Sequence, residues 1–275
     1  MINNADLMKK NSNVIVFITI MGVCISLALF LFLYSLALEK QEINLAQVTE
    51  RQLNSIQEKF DNAVKSINAV SALFAASNEV SRKEFSTFAS IELIDSPNVL
   101  ALEWIPKVKH SERASFESAA QKELVTNFTF TEKDPQGEMF AARKHDVYYP
   151  VYFVEPLKGN ENALGFDLST HPQRLRAIQE ARDTGVFIAS GIVELVQSQK
   201  HSAGLLVLKA IYSNGLVPES LAEKRALLKG FSHGVLKLQH LFNTQTLSGD
   251  NHHQSTIFVF DNNAAVGQQI IYPVT

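Results

Sequence analysis

Cysteine is almost absent: Cys24 is the only one in 275 residues. It lies inside a long apolar run, so the rest of the chain has no thiol for a disulfide or a thiolate metal site. Stability there must come from an ordinary apolar core. Basic stripes are missing too. The formal net charge is −3, and no cluster of Lys and Arg marks a nucleic-acid footprint. No phosphate-binding loop, dinucleotide glycine pattern, G-x-S-x-G elbow or H-E-x-x-H helix occurs. The eight histidines are scattered. His252-His253 is the one close pair, and neighbours on a strand point to opposite faces. A shared metal would need that pair in a loop; an exposed polar turn is the plainer reading. No catalytic residue, metal ligand or cofactor is therefore assigned.

Charge is what the run Val14 to Leu38 lacks (VIVFITIMGVCISLALFLFLYSLAL). Its roughly 25 residues would reach about 37 Å as a helix, enough for a hydrocarbon core of about 30 Å. Lys9 and Lys10 precede it, and positive flanks tend to stay cytoplasmic. Residues 1–13 are then cytoplasmic, 14–38 span the membrane, and Glu39 to Thr275 lie in the periplasm or outside the cell. The alternative is a signal peptide cut near Ser35-Leu36-Ala37, but such peptides have apolar cores of only about 7–15 residues. The exterior part, about 235 residues, suffices for one large domain or two small ones.

No Pro or Gly interrupts Glu39 to Ser77. Leu53, Ile56, Phe60, Ala63, Ile67, Val70 and Phe74 recur at spacings of 3 and 4, a heptad seam on a stalk helix over residues 39–80. The seam either pairs with a second copy in a parallel dimer or packs along its own domain. Ser81 and Glu84 have capping-box spacing and predict a short helix to Leu93. After a turn at Asp95-Ser96-Pro97-Asn98, Val99 to Val108 reads as a strand and Ser111 to Glu123 as an amphipathic helix. Phe128 and Phe130 alternate with Thr and predict a strand; Asp134-Pro135-Gln136-Gly137 is a turn. Val147 to Glu155 and Ala163 to Leu168 read as strands around a hairpin loop at residues 158–161. Thr170 as cap and Pro172 in the first turn open a helix that stops at Gly185. Strands over Val186 to Val196 and Leu205 to Tyr212 follow, joined by a polar loop. The class is α+β, an antiparallel sheet with helices on one side. From Glu219 the pattern changes. Phe231 to Leu238, a short helix to Phe242, then TIFVF and IIYPV look like the start of a second, smaller sheet, and the chain reads as part of a longer protein.

Trp104, Tyr148, Tyr149, Tyr152, Phe153 and Phe166 concentrate on three expected strands. They serve as core or line a small-molecule pocket. Alternation puts Tyr148, Pro150, Tyr152 and Val154 on one face, and Tyr149, Val151, Phe153 and Glu155 on the other. Glu155 and Asp167 could share acid–base work, or Asp167 could satisfy the amides of the helix that follows it.

Several stretches resemble the CHASE domain, the extracytoplasmic sensory module of plant cytokinin receptors and many bacterial sensors: ALEWIPKVKHSERASFE (Ala101 to Glu117), YYPVYFVEP (Tyr148 to Pro156) and ALGFDLSTHPQRLRAIQEARDTG (Ala163 to Gly185). The G-F-D element before an R-x-x-A-x-x-x-A-R-D-x-G helix is the most specific part. The resemblance implies a long helix leading to two stacked PAS-like domains. The membrane-distal one, residues 81–215, would hold the ligand; the membrane-proximal one, residues 216–275, is incomplete here. It implies a pocket at Tyr149, Tyr152, Val154, Pro156, Ile178, Ser190, Leu208 and Ala210. Plant receptors carry an adenine-reading aspartate where this chain has Pro156, and threonine where it has Ser190, which argues against adenine recognition.

The expected function is a small-molecule receptor of the inner membrane that works as a dimer along Leu53–Phe74, with no nucleic-acid partner. Its output would be a histidine kinase or a diguanylate cyclase beyond this chain. A membrane-tethered periplasmic enzyme and a purely structural interaction module are the alternatives.

Overall fold

In a computed structural model the described residues are 4–124, 127–191, 193–194, 203–242, 259–260 and 270–272. The chain divides into two compact units, Met1–Ser55 and Ile56–Thr275. Helix α1 is unbroken from Asn4 to Ala76, through the stretch after Glu39 that has neither Pro nor Gly. Within it Val16–Lys40 is long and apolar enough to cross a membrane. α2 (Arg82–Ile94) begins on the expected capping box, with Ser81 and Glu84 bonded reciprocally. β1 (Val99–Pro106) and β2 (Val108–Lys109) lead to α3 (Arg113–Leu124). β3 (Thr131–Lys133) and β4 (Met139–Ala141) form a hairpin across Gly137. β5 (Val147–Tyr148) and β6 (Phe153–Glu155) precede α4 (Pro172–Thr184). Then come β7 (Ile188–Ala189), β8 (Val193–Glu194), β9 (Ala203–Tyr212), α5 (Leu221–Leu227), β10 (Leu228–Lys237) and α6 (Leu238–Phe242). β11 (Val259–Phe260) pairs with β12 (Ile270–Tyr272) in a separate two-stranded sheet.

The main sheet is six-stranded and antiparallel, in the order β6-β1-β10-β9-β7, with β8 also on β9. β10 is its centre. Phe231 to Lys237, expected at the start of a second sheet, instead fills the gap between β1 and β9. Helices also cover both faces rather than one. On one face Leu102, Trp104, Phe153, Val207, Ile211 and Leu236 meet Ala63, Ile67, Val70 and Phe74 of α1 and Phe85 and Ala89 of α2. On the other, Ala101, Ile105, Leu206, Leu208, Ala210, Phe231 and Val235 meet Ala177, Ile178 and Ala181 of α4. The seam's C-terminal half is thus buried in its own domain and is not a dimer contact. Leu53 remains 61% exposed, and Ile56 and Phe60 are partly buried.

Three strand expectations also change. Phe128 and Phe130 are buried but outside any strand. Their backbones bond to α3 side chains instead: Gln121 Nε2 donates to the Phe128 carbonyl at 2.9 Å, and the Phe130 amide donates to Glu117 at 2.8 Å. The stretch Val147 to Glu155 breaks between β5 and β6, around Pro150, which has no N–H for a ladder. Ala163 to Leu168 makes single bridges at Phe166 and Asp167, not a strand. The break shifts the alternation, so Tyr148, Tyr152 and Phe153 all lie on the α1 side while Tyr149, Val151 and Val154 lie on the α4 side.

Candidate ligand-binding face

α4 is placed by its ends. Pro172 occupies the first turn, and Gly185 closes the helix in the left-handed region at φ 78°. A Cβ at Gly185 would meet Val217 Cγ1 at 2.4 Å. Arg174, Ala177, Ile178 and Ala181, spaced 3, 1 and 3, form the buried stripe. Thr170 is not the cap; its hydroxyl donates to the Asp167 carbonyl at 2.7 Å, and His171 precedes the helix. Asp167 organises the approach. Its Oδ1 accepts from the Tyr149 amide at 3.0 Å and from the Ser169 amide and hydroxyl at 3.0 and 2.7 Å. Burial pushes its pKa up against these bonds. Glu155 accepts from the Ser86 hydroxyl at 2.6 Å on α2. The two carboxylates therefore serve separate structural contacts.

Of the eight pocket residues expected, Tyr149, Val154, Ile178, Leu208 and Ala210 converge in the layer between sheet and α4. Ser190 adjoins it, its amide donating to the Leu206 carbonyl at 2.7 Å and its Oγ accepting from the Leu206 amide at 3.2 Å. Tyr152 lies on the opposite face, its hydroxyl donating to the Phe116 carbonyl at 3.2 Å. Pro156 follows the end of β6, and its carbonyl accepts from Asn160 Nδ2 at 2.7 Å.

Three residues of this layer had no sequence signal: Glu103 on β1, His233 on β10 and Arg174 on α4. Glu103 and His233 are each 1% exposed and Arg174 is 6% exposed. Glu103 and His233 stand opposite one another in the ladder, and Nδ1 meets the carboxylate at 2.5 Å. Burial pushes the Arg174 pKa down to about 10 while the Glu103 charge holds it up, so Arg174 stays cationic at neutral pH. Its guanidinium lies 5.0 Å from the Phe166 ring centre.

A family model for the CHASE domain matches residues 78–272. The chain belongs to the CHASE family. CHASE domains are extracytoplasmic sensor domains that bind small-molecule signals. Among similar proteins are hybrid signal transduction histidine kinase A of Dictyostelium discoideum, 24% identical over 82% of this chain and 11% of that protein, and the germination-specific adenylate cyclase of the same organism, 21% identical over 84% and 27%. Histidine kinase 2 of Arabidopsis thaliana is 22% identical over 68% of this chain and 16% of its own length. The CHASE chain thus spans about a tenth to about a quarter of the relatives it matches.

The opposite face of the CHASE sheet holds α1 closely. Trp104 stacks on Phe74 with ring centres 4.0 Å apart and planes at 11°. Gly234 lets Ile67 approach the sheet; a Cβ there would meet Ile67 Cδ1 at 2.5 Å. Lys229 Nζ donates to the carbonyls of Phe74 and Ser77 at 2.9 and 2.7 Å, a cation at the end of α1 where the helix dipole favours one. One strand, β10, therefore presents His233 to the α4 layer and Gly234 to α1. A groove of about 420 Å³ lined by Leu73, Val80, Phe88 and Ile91 shares no residue with the α4 layer. The pair His252-His253 lies outside the described residues.

Proposed function

We propose that this chain is the input part of a membrane-anchored receptor whose CHASE domain takes a small molecule between the sheet and α4. What carries the reading is convergence. Tyr149, Val154, Ile178, Leu208 and Ala210 come from separate segments of the chain, and they meet on one sheet face. All five are buried, so a ligand seated there lifts α4 from the sheet. Occupied and empty states then differ in how the sheet presents β10 to α1, and a ligand shifts the balance by its differential affinity for the two. The N-terminus is cytoplasmic and the domain periplasmic or extracellular, with Val16–Lys40 crossing the membrane. The receptor is a dimer that pairs along α1 on the membrane side of the buried seam. The domain is PAS-like, with a second such domain toward the C-terminus. The output is a histidine kinase or a diguanylate cyclase; kinases among the similar proteins support the first.

The test is a thermal-shift screen of the full chain in lipid nanodiscs against a library of small metabolites. At least one compound should raise the unfolding midpoint, and Ala210→Leu, which fills the layer, should abolish that shift. A shift that survives Ala210→Leu would place the ligand elsewhere, and a library without effect would count against direct sensing.

A further inference from the structure

β10 sends one side chain into the α4 layer whose polar atoms packing does not use up. Strand pairing sets a row across that face of the sheet: Val154 on β6, Glu103 on β1, His233 on β10, Leu208 on β9 and Ile188 on β7. His233 is the middle residue of the row and is 1% exposed. The Glu103 carboxylate meets its Nδ1 at 2.5 Å, so the planar ring points Nε2 away from Glu103. On the other side of His233 the row continues with the aliphatic Leu208 and Ile188. Nε2 is buried and has no hydrogen-bond partner among the described residues. A ring nitrogen is either a donor or an acceptor, and leaving a buried one unpaired costs free energy. An apolar side chain of similar size would close the layer without that cost, so packing alone does not account for this nitrogen.

We propose that His233 Nε2 is a polar contact of the ligand site and that the ligand is a small apolar molecule bearing one hydroxyl, an alcohol or a phenol. This rests on the receptor reading above. A hydroxyl fits because its single oxygen can do both jobs. It donates to a bare ring nitrogen and accepts from an N–H. The pair therefore forms in either protonation state of the imidazole. An ether oxygen only accepts and an ammonium only donates, so each meets Nε2 in one state alone. Glu103 acts through His233: its carboxylate fixes how the ring is turned, and so where Nε2 points. The skeleton of the ligand faces Tyr149, Ile178, Leu208 and Ala210, so it is apolar.

The experiment compares hydroxyl compounds with hydrocarbons of the same shape on the full chain in nanodiscs: phenol and toluene, benzyl alcohol and ethylbenzene, cyclohexanol and methylcyclohexane, hexanol and heptane. Each pair exchanges OH for CH3. At least one hydroxyl compound should raise the unfolding midpoint, and its hydrocarbon should need roughly tenfold more for the same rise. His233→Asn keeps a polar atom for Glu103 near the place of Nδ1 and deletes Nε2. It should raise the half-saturating concentration by about tenfold or more. His233→Gln carries its amide to the place of Nε2 and should bind more tightly than His233→Asn. A residue that served only to hold Glu103 would give the reverse order. Partitioning into lipid is common to wild type and variants and cancels between them. Unfolding without ligand shows that each variant is folded, and the wild-type comparison stands without either. The inference is overturned when no hydroxyl compound shifts the wild type, when hydroxyl compound and hydrocarbon act alike, or when His233→Asn leaves the shift unchanged. A shift lost in Ala210→Leu but kept in His233→Asn overturns this inference and leaves the ligand face standing. A shift kept in Ala210→Leu removes the face itself.

Discussion

At the scale of residues, Glu117 gathers three donors on one oxygen: Arg113 Nε at 2.8 Å, the Thr129 hydroxyl at 2.9 Å and the Phe130 amide at 2.8 Å. Burial opposes its ionisation, but the three donors outweigh it, and its pKa lies below the usual 4.5. It therefore contributes stability that is present above pH 4.5 and is lost as pH falls toward the lowered value. Glu117→Ala should destabilise the domain by about 2 kcal/mol, since bonds to a charged group are the costly ones to break. Urea unfolding should show this loss at neutral pH and a shallower acid limb in the variant. Asp167 has the opposite sign. Its raised pKa gives a contribution that is full below the usual 3.8 and declines as pH rises through the folded value. Gly234 is the other decisive residue. Gly234→Val would drive a side chain into Ile67 and cost about 1–3 kcal/mol by overpacking. Urea midpoints should fall accordingly. Little of this was legible beforehand. Ser81, Gly185 and Asp134 could be read because each acts on backbone within a few residues. Glu117 and Gly234 act on partners 13 and 167 positions away (130 − 117; 234 − 67), and nothing local marks such a partner.

At the scale of elements, the heptad seam shows what periodicity can and cannot say. Residues spaced 3 and 4 apart do share a helix face, and that face is apolar. Which surface covers it is a separate matter. From Ala63 to Phe74 the cover is the chain's own sheet. Leu53, in the unit Met1–Ser55, remains exposed and open to a second copy. In a Cys24→Ser background, Leu53→Cys should cross-link between copies under oxidation in nanodiscs, and Ile67→Cys should not. Equal cross-linking at both positions, or none at Leu53→Cys, would rule out pairing along this stretch. β10 teaches the complementary lesson. Its two glycines, its serine and its histidine dilute the apolar alternation, so it looked peripheral. In the fold the serine and histidine are buried between neighbours, Gly234 admits Ile67, and Gly230 lies against the Ile105 carbonyl and the Trp104 ring.

At the scale of the molecule, the architecture joins a buried polar cluster to a long helix through a single central strand. His233 and Gly234 are adjacent in sequence and project to opposite faces, so a change in the α4 layer and the seating of α1 are one strand's thickness apart. Much was determined by sequence alone: the apolar run, the unbroken α1, the helix caps, the α+β class and the CHASE resemblance. Each depends on contiguous residues, through length, periodicity or local backbone bonding. Only the tertiary structure decided that residues 228–237 enter between β1 and β9, and that Tyr149 and Tyr152 part to opposite faces. It alone brought Glu103, His233 and Arg174 into one layer. These depend on strand pairing across more than 100 residues, where register and neighbour are chosen by the fit of whole faces and not by any short pattern.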